Sequence, residues 1–339
     1  MIDLVVVGGG PVGLMCAIHA ASAGLSVTVV EPRSTPVDKA CGEGLMPGAV
    51  AALAAVDVRP AGMPFHGIRY LQGDGHVEAR FAAGPGRGVR RTELHRALAA
   101  RAERAGVRTV DRRVTEVEQT TDAVAAAGVR ARYLIGADGL HSTVRRAAGL
   151  QRPPGPVRRY GLRRHYRVAP WSDLVEVHWC PDAEVYVTPV AADTVGVAVL
   201  GPGPLDLDRT VAQLPALGRH LSGAARTSDV RGAGPLWQRS RSRVSGRILL
   251  VGDAAGYVDA LTGEGLRIGF AQAAAAVDCI LTGRADDYEQ RWSALTRSYR
   301  VLTGSLVWCS GRPRVRRAIV PSARSLPPVF ARLVNSLAT

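Results

Sequence analysis

A glycine-rich turn close to the start of the chain limits the fold more than any other feature of the sequence. Residues 8–13 read GGGPVG and follow a wholly apolar run at 4–7, which is typical of a buried parallel strand. A helix is predicted over 11–23 and a second strand over 25–30, which together form a βαβ unit of the usual length. In such a unit the glycines let the backbone approach a pyrophosphate at the positive end of the helix. The sequence therefore predicts a dinucleotide site on a Rossmann-like α/β fold.

The residues of this first unit supply the predicted contacts to the dinucleotide. Glu31 ends the second strand, where its carboxylate can accept hydrogen bonds from ribose hydroxyls. The predicted cofactor-binding residues here are Gly8, Gly10, Pro11, Gly13, Glu31 and Arg33. Taken alone, the turn fits NAD as well as FAD, and a glycine-rich turn without a ligand is the simplest alternative.

A second glycine-rich segment, roughly 240 residues later, favours the longer cofactor. It reads ILLVGDAAG at 248–256 and LTGEGL at 261–266, and a helix is predicted over 265–282. Gly263 and Gly265 let the backbone lie against a flat ring, and the helix that continues from Leu266 aims free N–H groups at whatever sits there. A cofactor held from both ends of the chain indicates FAD. The alternatives are an ordinary capped helix and, for Asp253, a role as helix N-cap.

Four motifs in one order identify the chain as a member of the p-hydroxybenzoate-hydroxylase-type flavoprotein superfamily. Besides the first turn, residues 136–145 (GADGLHSTVR) resemble its Asp-Gly motif, residues 252–256 (GDAAG) its Gly-Asp motif, and residues 91–94 (RTEL) its Arg-x-x-Leu helix start. The resemblance implies a FAD-binding domain of the glutathione-reductase type. It also implies that Arg91 approaches the FAD phosphates, that Asp138 lies in the cofactor site, and that Gly252 and Asp253 hold the ribityl chain.

Two details resemble the geranylgeranyl-reductase-like branch of that superfamily. These are the run CGEGL at 41–45 and the string 252–265, in which Gly256 stands where typical hydroxylases carry His and Ala260 where Pro is common. The branch also contains oxygenases of natural-product pathways. Against a lipid reductase, residues 184–189 (EVYVTP) lack the Tyr-x-Trp-x-Phe-Pro-type signature of the archaeal enzymes.

Three side chains are candidates for catalysis. By resemblance Cys41 lies near the flavin, where its thiol could line the active site or attach to the ring, and a buried structural thiol is the alternative. Glu43 and Glu264 are candidate acid–base or substrate-orienting carboxylates. A solvated or purely structural role is the alternative for each.

Composition excludes several other classes of protein. The formal charge of +14 comes almost wholly from arginine, since Lys39 is the only lysine, and the arginines are spread along the chain. This pattern fits a GC-rich coding bias better than a nucleic-acid interface. Five widely spaced cysteines without a Cys-x-x-Cys pair predict neither a disulfide framework nor a metal site. Without a basic leader or an apolar run long enough to span a bilayer, a cytoplasmic protein is expected.

The chain is predicted to divide into a discontinuous FAD-binding domain (1–64, 89–156 and 238–310), a substrate-binding domain (65–88 and 157–237) and a basic tail (311–339). Prolines and arginines crowd 152–159, which predicts a crossing between domains. Alternation over 160–200 predicts a mixed or antiparallel sheet that carries the substrate, with candidate side chains His165, Tyr166, His178, Trp179 and Tyr186. The tail arginines Arg312, Arg314, Arg316 and Arg317 could contact a membrane surface, and a solvated tail is the alternative.

The expected activity is an FAD-dependent monooxygenase that uses NADPH or NADH and O₂ to hydroxylate or epoxidise an apolar small molecule, either aromatic or polyketide-like. No second glycine-rich βαβ unit for the nicotinamide is present, as in hydroxylases that bind it only transiently. The alternative is an FAD-dependent reductase or dehydrogenase of isoprenoid-like double bonds. A flavin-free binding module is a third hypothesis, and the sequence predicts no oligomeric state.

Overall fold

The computed structural model of the protein describes residues 1–155 and 157–339 and contains three β-sheets. Pro156, inside the predicted crossing at 152–159, lies outside the described residues. In chain order the strands are β1 (Ile2–Val7), β2 (Val27–Val30), β3 (Gly44–Leu45), β4 (Met63–Phe65), β5 (Gly67–Gln72), β6 (Gly75–Arg80), β7 (Gly86–Gly88), β8 (Arg108–Val110), β9 (Val117–Gln119), β10 (Val124–Ala126), β11 (Val129–Gly136), β12 (Arg159–Arg167), β13 (Val175–Trp179), β14 (Glu184–Ala191), β15 (Thr194–Pro202), β16 (Ala225–Arg226), β17 (Arg231–Ala233), β18 (Val244–Ser245) and β19 (Ile248–Leu250).

The helices lie between and after these strands. They are α1 (Pro11–Ser22), α2 (Pro47–Ala54), α3 (Arg91–Arg104), α4 (Thr143–Ala147), α5 (Leu207–Ala212), α6 (Pro215–Leu221), α7 (Gly265–Leu281), α8 (Asp287–Ser310), α9 (Pro313–Ser325) and α10 (Pro327–Ala338), with a short 3₁₀ helix at Gly252–Ala255.

The first sheet has a parallel core with the order β19-β11-β1-β2-β8. Its central strands are buried on both faces, which explains why they appear in the sequence as unbroken apolar runs. Helix α1 begins at Pro11, where a missing N–H is harmless, and it packs against α3 and α7. Because β1, β11 and β19 run parallel, their carboxyl ends bring residues 8, 137 and 252 together at one edge.

The second sheet is mixed, with the order β16-β12-β15-β14-β13-β5-β6. Its long strands β12 and β15 pair antiparallel from Arg159↔Pro202 to Arg167↔Thr194, while β13 and β5 pair parallel. The predicted α/β fold with a second, mixed sheet is therefore confirmed, and the role of that sheet in carrying the substrate stays a prediction. The first sheet takes its strands from residues 2–30, 108–136 and 244–250, and the second takes its strands from 67–80 and 159–233. That the two sheets mark separate domains stays a prediction.

A small third sheet, β3-β7-β4, fastens the segment around residue 44 to the second sheet. The contact is made by Gly88, where a Cβ atom would lie 1.8 Å from the carbonyl oxygen of Pro189. No residue but glycine fits so close an approach. The segment at 37–46 is thereby held between the two larger sheets, where it forms part of a cavity wall.

Two stretches differ from their sequence-based predictions. The helix predicted near 207–221 is divided into α5 and α6, because Pro215 lacks the N–H that would continue α5 and instead begins a new helix. The predicted basic tail folds as α9 and α10, which pack on β6 through buried residues such as Phe330 and Val334. In the part of the chain that the structure describes, no helix is long and apolar enough to cross a membrane.

A buried cluster of charges joins these C-terminal helices to the second sheet. Glu184 on β14 is completely buried and accepts hydrogen bonds from two guanidinium groups, those of Arg159 and Arg316, each at 2.5 Å. Arg159 also binds Asp259 at 2.9 Å. Arg316 therefore cannot contact a membrane surface, because its charge is fully engaged inside the protein. This corrects the prediction for that residue.

Candidate functional site

The predicted cofactor residues converge on a cavity of about 710 Å³ between the first and second sheets. It lies at the carboxyl ends of β1, β11 and β19, where ligands of open parallel sheets bind. The predicted residues that line it are Gly10, Pro11, Arg33, Cys41, Glu43, Arg91, Asp138, Gly252, Asp253, Gly263, Gly265 and Leu266. Gly8, Gly13, Glu31 and Glu264 lie outside the lining.

The first glycine turn is shaped by two close backbone contacts. At Gly8 the backbone has φ +104°, and a Cβ atom would lie 2.5 Å from the carbonyl oxygen of Ala137. At Gly13 a Cβ atom would lie 1.9 Å from the carbonyl oxygen of Gly8. Gly10 is different, because the nearest atom to its Cβ position is Nη2 of Arg91 at 3.8 Å. The fold itself requires Gly8 and Gly13, whereas Gly10 keeps the backbone open to the cavity at the N-terminus of α1.

The carboxylate of Glu31, which was predicted to bind ribose, already forms hydrogen bonds within the protein. Its carboxylate accepts hydrogen bonds from the Gly9 N–H at 2.9 Å and from Nε of Arg33 at 2.7 Å. Burial acts to raise the pKa of Glu31, but the Arg33 guanidinium outweighs it and holds that pKa below its usual range. Arg33 lines the cavity in its place. The contact of Glu31 with ribose stays a prediction. In the structure, the carboxylate of Glu31 holds the glycine turn and the side chain of Arg33 in position.

Two polar groups in the cavity wall have unused hydrogen-bonding capacity. Nε of Arg91 is buried and has no hydrogen-bond partner among the described residues. Asp138 accepts from the N–H groups of Thr143 at 2.7 Å and Val144 at 3.1 Å through Oδ2, while its buried Oδ1 has no partner within 1–155 and 157–339. Buried polar groups are rarely left unpaired in native proteins. A ligand with an anionic group near Arg91 and a hydroxyl near Asp138 would satisfy both.

Asp253 projects into the cavity from the 3₁₀ helix. The structure does not realise its alternative role as N-cap, because it lies inside Gly252–Ala255 and Val251 occupies the cap position. Its side chain is 33% exposed, and Nζ of Lys39 lies 3.6 Å from its carboxylate. Gly252 takes φ +57°, and its N–H donates to the side chain of Gln272 at 2.7 Å. The carboxylate is thus free to accept a ligand hydroxyl.

Sequence reasoning missed Arg145, which joins the two acidic motifs. The residue is 1% exposed and donates hydrogen bonds to the carbonyl oxygens of Leu140 at 2.7 Å and Ala254 at 2.9 Å. A third bond, from Nε, goes to the side chain of Gln151 at 2.6 Å. The sequence does show an arginine at the end of the run at 136–145. Its hydrogen-bond partners near residue 254 are far away in the sequence, so the sequence alone does not reveal the contact.

The last glycine pair opens one face of the cavity. Gly263 has φ +71°, and no described atom lies within 4 Å of its Cβ position. Helix α7 begins at Gly265 and presents free backbone N–H groups to the same space. Glu264 turns away from it. Its carboxylate binds Arg267 at 2.5 Å, and burial raises its pKa. Its other carboxylate oxygen, Oε2, is buried without a hydrogen-bond partner among the described residues. The catalytic role of Glu264 stays a prediction.

Cys41 and Glu43 do line the cavity. The Cys41 thiol is half-buried, and its Sγ accepts a hydrogen bond from the Glu43 N–H at 3.4 Å. Glu43 is buried and adopts φ +61°, a conformation that few residues other than glycine take. Its Oε1 accepts from the backbone N–H of Arg91 at 2.9 Å. Their catalytic roles remain predictions.

Of the five side chains on the second sheet that were predicted to face a substrate, Tyr186 is the one that lines the cavity. Its hydroxyl donates to the carbonyl oxygen of Leu261 at 2.9 Å, and burial raises its pKa well above the usual value. Tyr166 packs into a hydrophobic cluster with α5 and α6, Trp179 packs against Tyr70, and His178 faces Glu176. His165 reaches the cavity only through Glu43. The apolar wall around Tyr186 consists of Leu162, Ala198, Leu200 and Leu236.

Comparisons with known proteins agree with this geometry. The family model described as FAD binding domain matches residues 1–288. The chain is 28% identical to the menaquinone reductase of Mycolicibacterium smegmatis (strain ATCC 700084 / mc(2)155), over 88% of this chain and 80% of that protein. It is 34% identical to a 3-(3-hydroxy-phenyl)propionate/3-hydroxycinnamic acid hydroxylase of Mycobacterium sp. (strain JLS), over 44% of this chain and 29% of that protein. The structure of the flavin-dependent brominase Bmp2 is similar in fold, with a TM-score of 0.81 at 19% identity, over 99% of this chain and 93% of Bmp2.

Proposed function

This chain belongs to the FAD binding domain family, within the p-hydroxybenzoate-hydroxylase-type superfamily of FAD-dependent oxidoreductases, and from that membership we propose that it is a monooxygenase. It uses NADPH or NADH and O₂ to hydroxylate or epoxidise an apolar small molecule, such as an aromatic or polyketide-like secondary metabolite. The observation that carries the proposal is the single cavity whose cofactor-side wall is polar and whose opposite wall, around Tyr186, is apolar.

The residues present fit FAD. Arg91 with its buried, unpartnered Nε and the open turn at Gly10 suit a diphosphate, and the free Oδ1 of Asp138 suits a hydroxyl donor. The partly exposed carboxylate of Asp253 suits the ribityl hydroxyls, and the backbone at Gly263 leaves room for a flat ring. When bound, FAD supplies the redox chemistry, since it accepts electrons from a nicotinamide and makes O₂ reactive toward an organic molecule. The chain's own residues orient the ligands.

The activity test is aerobic turnover of the purified FAD-loaded protein with NADPH or NADH, isotopically labelled O₂ and candidate phenols and apolar metabolites. We expect mass spectrometry to show products that gain one labelled oxygen. Products that gain two hydrogens, at a rate undiminished without air, would overturn the monooxygenase. A purified protein that is colourless and takes up no FAD would overturn both oxidoreductase hypotheses in favour of a flavin-free binding module.

The reductase of isoprenoid-like double bonds is the second candidate, and one observation favours it. The Cys41 thiol lines the cavity beside Glu43, and menaquinone reductase, whose relationship spans most of both chains, is named for reduction. In a flavin-dependent reduction the reduced flavin would supply the hydride and the cavity thiol would supply the proton, whereas an oxygenation has no need of this thiol. Under this alternative Cys41→Ser abolishes product formation, and under the monooxygenase proposal it leaves labelled-oxygen incorporation largely intact. The buried Cys279→Ser is the matched control.

Replacement of Asp253 with alanine tests the predicted ribityl contact. We expect FAD to bind about ten- to hundredfold more weakly, because a hydrogen bond to a charged group contributes roughly 1.5–3 kcal/mol. Titration of the FAD-free protein, followed by flavin fluorescence, gives the dissociation constant. Asp229→Ala removes an exposed carboxylate outside the cavity and serves as control. Equal affinities of the two variants would remove Asp253 from the site.

Contact of the C-terminal helices with a membrane surface also stays a proposal. The exposed apolar side chains Leu326, Val329 and Leu333 are spaced to share one face of α10, and Arg332 lies beside them. Apolar and basic residues on one exposed helix suit an acidic lipid surface. Of the tail arginines, Arg312, Arg314 and Arg317 are exposed and available for such a contact, whereas Arg316 is not.

A further inference from the structure

A second cavity, of about 670 Å³, adjoins the FAD cavity proposed above. Both cavities are lined by Gly252, Asp253, Tyr257 and Gly265. The rest of the second wall comes mainly from the segment between β17 and β18 and from helices α7 and α8. Its arginines are different from those that line the proposed FAD cavity, so the two spaces have separate sets of charged groups.

The wall of the second cavity is strongly basic, and we call it the basic cavity. Asp253 is its only carboxylate among the described residues. Arg243 binds Glu289 at 2.8 Å, whereas the other arginines of the wall form no ion pair with a described residue. Elsewhere, even exposed arginines such as Arg80 and Arg226 pair with carboxylates. The arginines that line the basic cavity are Arg152, Arg239, Arg241, Arg243, Arg297 and Arg300.

Two elements bring most of these charges together. Between β17 and β18, the buried residues Gln238 and Ser240 form β-bridges to other segments, and the exposed Arg239 and Arg241 alternate with them. On α8, the exposed residues at 297 and 300 are both arginine and share one helix face. Like charges at this spacing destabilise a helix. The fold therefore concentrates positive charge around one space, and a bound anion would relieve the repulsion.

Trp292 holds two of the guanidinium groups and adds a free donor. The guanidinium carbon of Arg243 lies 3.7 Å from the centre of its ring, and that of Arg300 lies 5.3 Å from it. Burial lowers the pKa of Arg243, and the charge of Arg300 lowers it further, while Glu289 opposes both. Trp292 is 5% exposed, and its buried Nε1 has no hydrogen-bond partner among the described residues. An anionic ligand would supply an acceptor that these donors lack.

The basic cavity is also rich in aromatic side chains. Aromatic residues make up only 5% of the chain, yet four line this space, namely Trp237, Tyr257, Trp292 and Tyr299. Trp237 and Tyr257 are half-buried, so part of each ring is accessible. Aromatic rings stack on other flat rings, and guanidinium groups bind phosphate oxygens in pairs. A ligand with a flat base and several phosphate groups uses both kinds of wall.

We propose that the basic cavity binds a nucleotide with several phosphate groups, with the phosphates on the arginines and the base among the aromatic side chains. Two coenzymes have this chemistry: NADPH carries a phosphate on the 2′ oxygen of its adenosine, and coenzyme A carries one on the 3′ oxygen. The choice of NADPH rests on the proposed oxidoreductase function, whereas nucleotide binding itself does not. NADPH would thereby have a site beside the FAD cavity without a second glycine-rich βαβ unit.

The test is isothermal titration calorimetry of the FAD-loaded protein with adenosine 2′,5′-bisphosphate and adenosine 3′,5′-bisphosphate, which are the phosphorylated parts of NADPH and coenzyme A. We expect at least one to bind, more weakly as salt is added. In the double variant Arg297→Gln, Arg300→Gln we expect the dissociation constant to rise about tenfold or more, because charge-assisted hydrogen bonds to phosphate are lost. Tighter binding of the 2′,5′ compound supports NADPH as the ligand, and tighter binding of the 3′,5′ compound supports coenzyme A.

Arg314→Gln, Arg317→Gln is the matched control, because it removes two exposed arginines with the same spacing from α9, outside both cavities. It should bind the bisphosphates like the wild type. Absence of binding, or an equal loss in both double variants, would overturn the site, and pyrophosphate that binds as tightly as the bisphosphates would overturn the nucleotide. A protein that takes up no FAD would instead count against the proposed function. The variants still test the site in that case, since Arg297 and Arg300 lie outside the lining of the proposed FAD cavity.

Discussion

Replacement of Gly13 with alanine should all but abolish FAD binding. The added methyl group would lie 1.9 Å from the carbonyl oxygen of Gly8, so the first turn and helix α1 would have to move apart. Overpacking of this kind costs about 1–3 kcal/mol and sometimes more. Since the turn holds the helix end that faces the cavity, we expect FAD affinity to fall about a hundredfold or more.

The measurement is a flavin titration of the FAD-free variant, with its thermal unfolding midpoint recorded beside it. Gly218→Ala is the matched control, because no described atom lies within 4 Å of that Cβ position and the residue lies in helix α6. The control should bind FAD like the wild type and unfold at a similar or slightly higher temperature. If Gly13→Ala also bound FAD within twofold of wild type, the close packing of the turn would not be needed for the cofactor.

Replacement of Glu184 with alanine should give the second large effect, on stability. The substitution leaves Arg159 and Arg316 inside the protein without the carboxylate that both bind. Removal of one partner from a buried ion pair typically destabilises a protein by about 3–5 kcal/mol. Because Arg316 belongs to α9, we also expect the C-terminal helices to detach before the rest of the protein unfolds.

Urea denaturation, followed by circular dichroism and by proteolysis of α9 and α10, measures both parts of this expectation. Glu78→Ala is the control, since Glu78 binds Arg69 at 2.6 Å in a partly exposed pair, and such pairs contribute about 1 kcal/mol or less. If both variants lost a similar amount of unfolding free energy, the buried cluster would contribute no more to stability than a surface ion pair. If α9 and α10 of Glu184→Ala resisted proteolysis as they do in the wild type, the buried charge cluster would not be what holds these helices on the protein.

The parts of the site that the sequence could predict depend on local backbone chemistry. Gly13 and Gly263 each need glycine for a reason that lies within a few residues, namely the close carbonyl oxygen of Gly8 and a backbone φ of +71°. The alternation over 160–200 likewise predicts strands because each strand has one face toward a hydrophobic cluster. Such signals do not depend on which distant segment the residue later meets.

Glu43 and Glu264 show where prediction from the sequence ends. Both lie in a Gly-Glu-Gly run, and nothing in the sequence distinguishes the two carboxylates as candidates for catalysis. The structure separates them because Glu43 meets His165, 122 residues away, whereas Glu264 meets Arg267 on its own helix. The tail is a similar case, since nothing near Arg316 in the sequence indicates that its partner is Glu184, 132 residues earlier. These partners are set by the packing of distant elements.

The single lysine of this chain gives the cavity an unusual chemical accessibility. Lys39 is 34% exposed and lies beside Asp253, at the cavity wall. Amine-directed reagents, which on most proteins modify many scattered side chains, therefore have here one side chain to modify besides the α-amino group. Cross-linkers, fluorophores and immobilisation chemistries that modify lysine side chains therefore act at the wall of this cavity, so a general surface reaction becomes a reporter of one site.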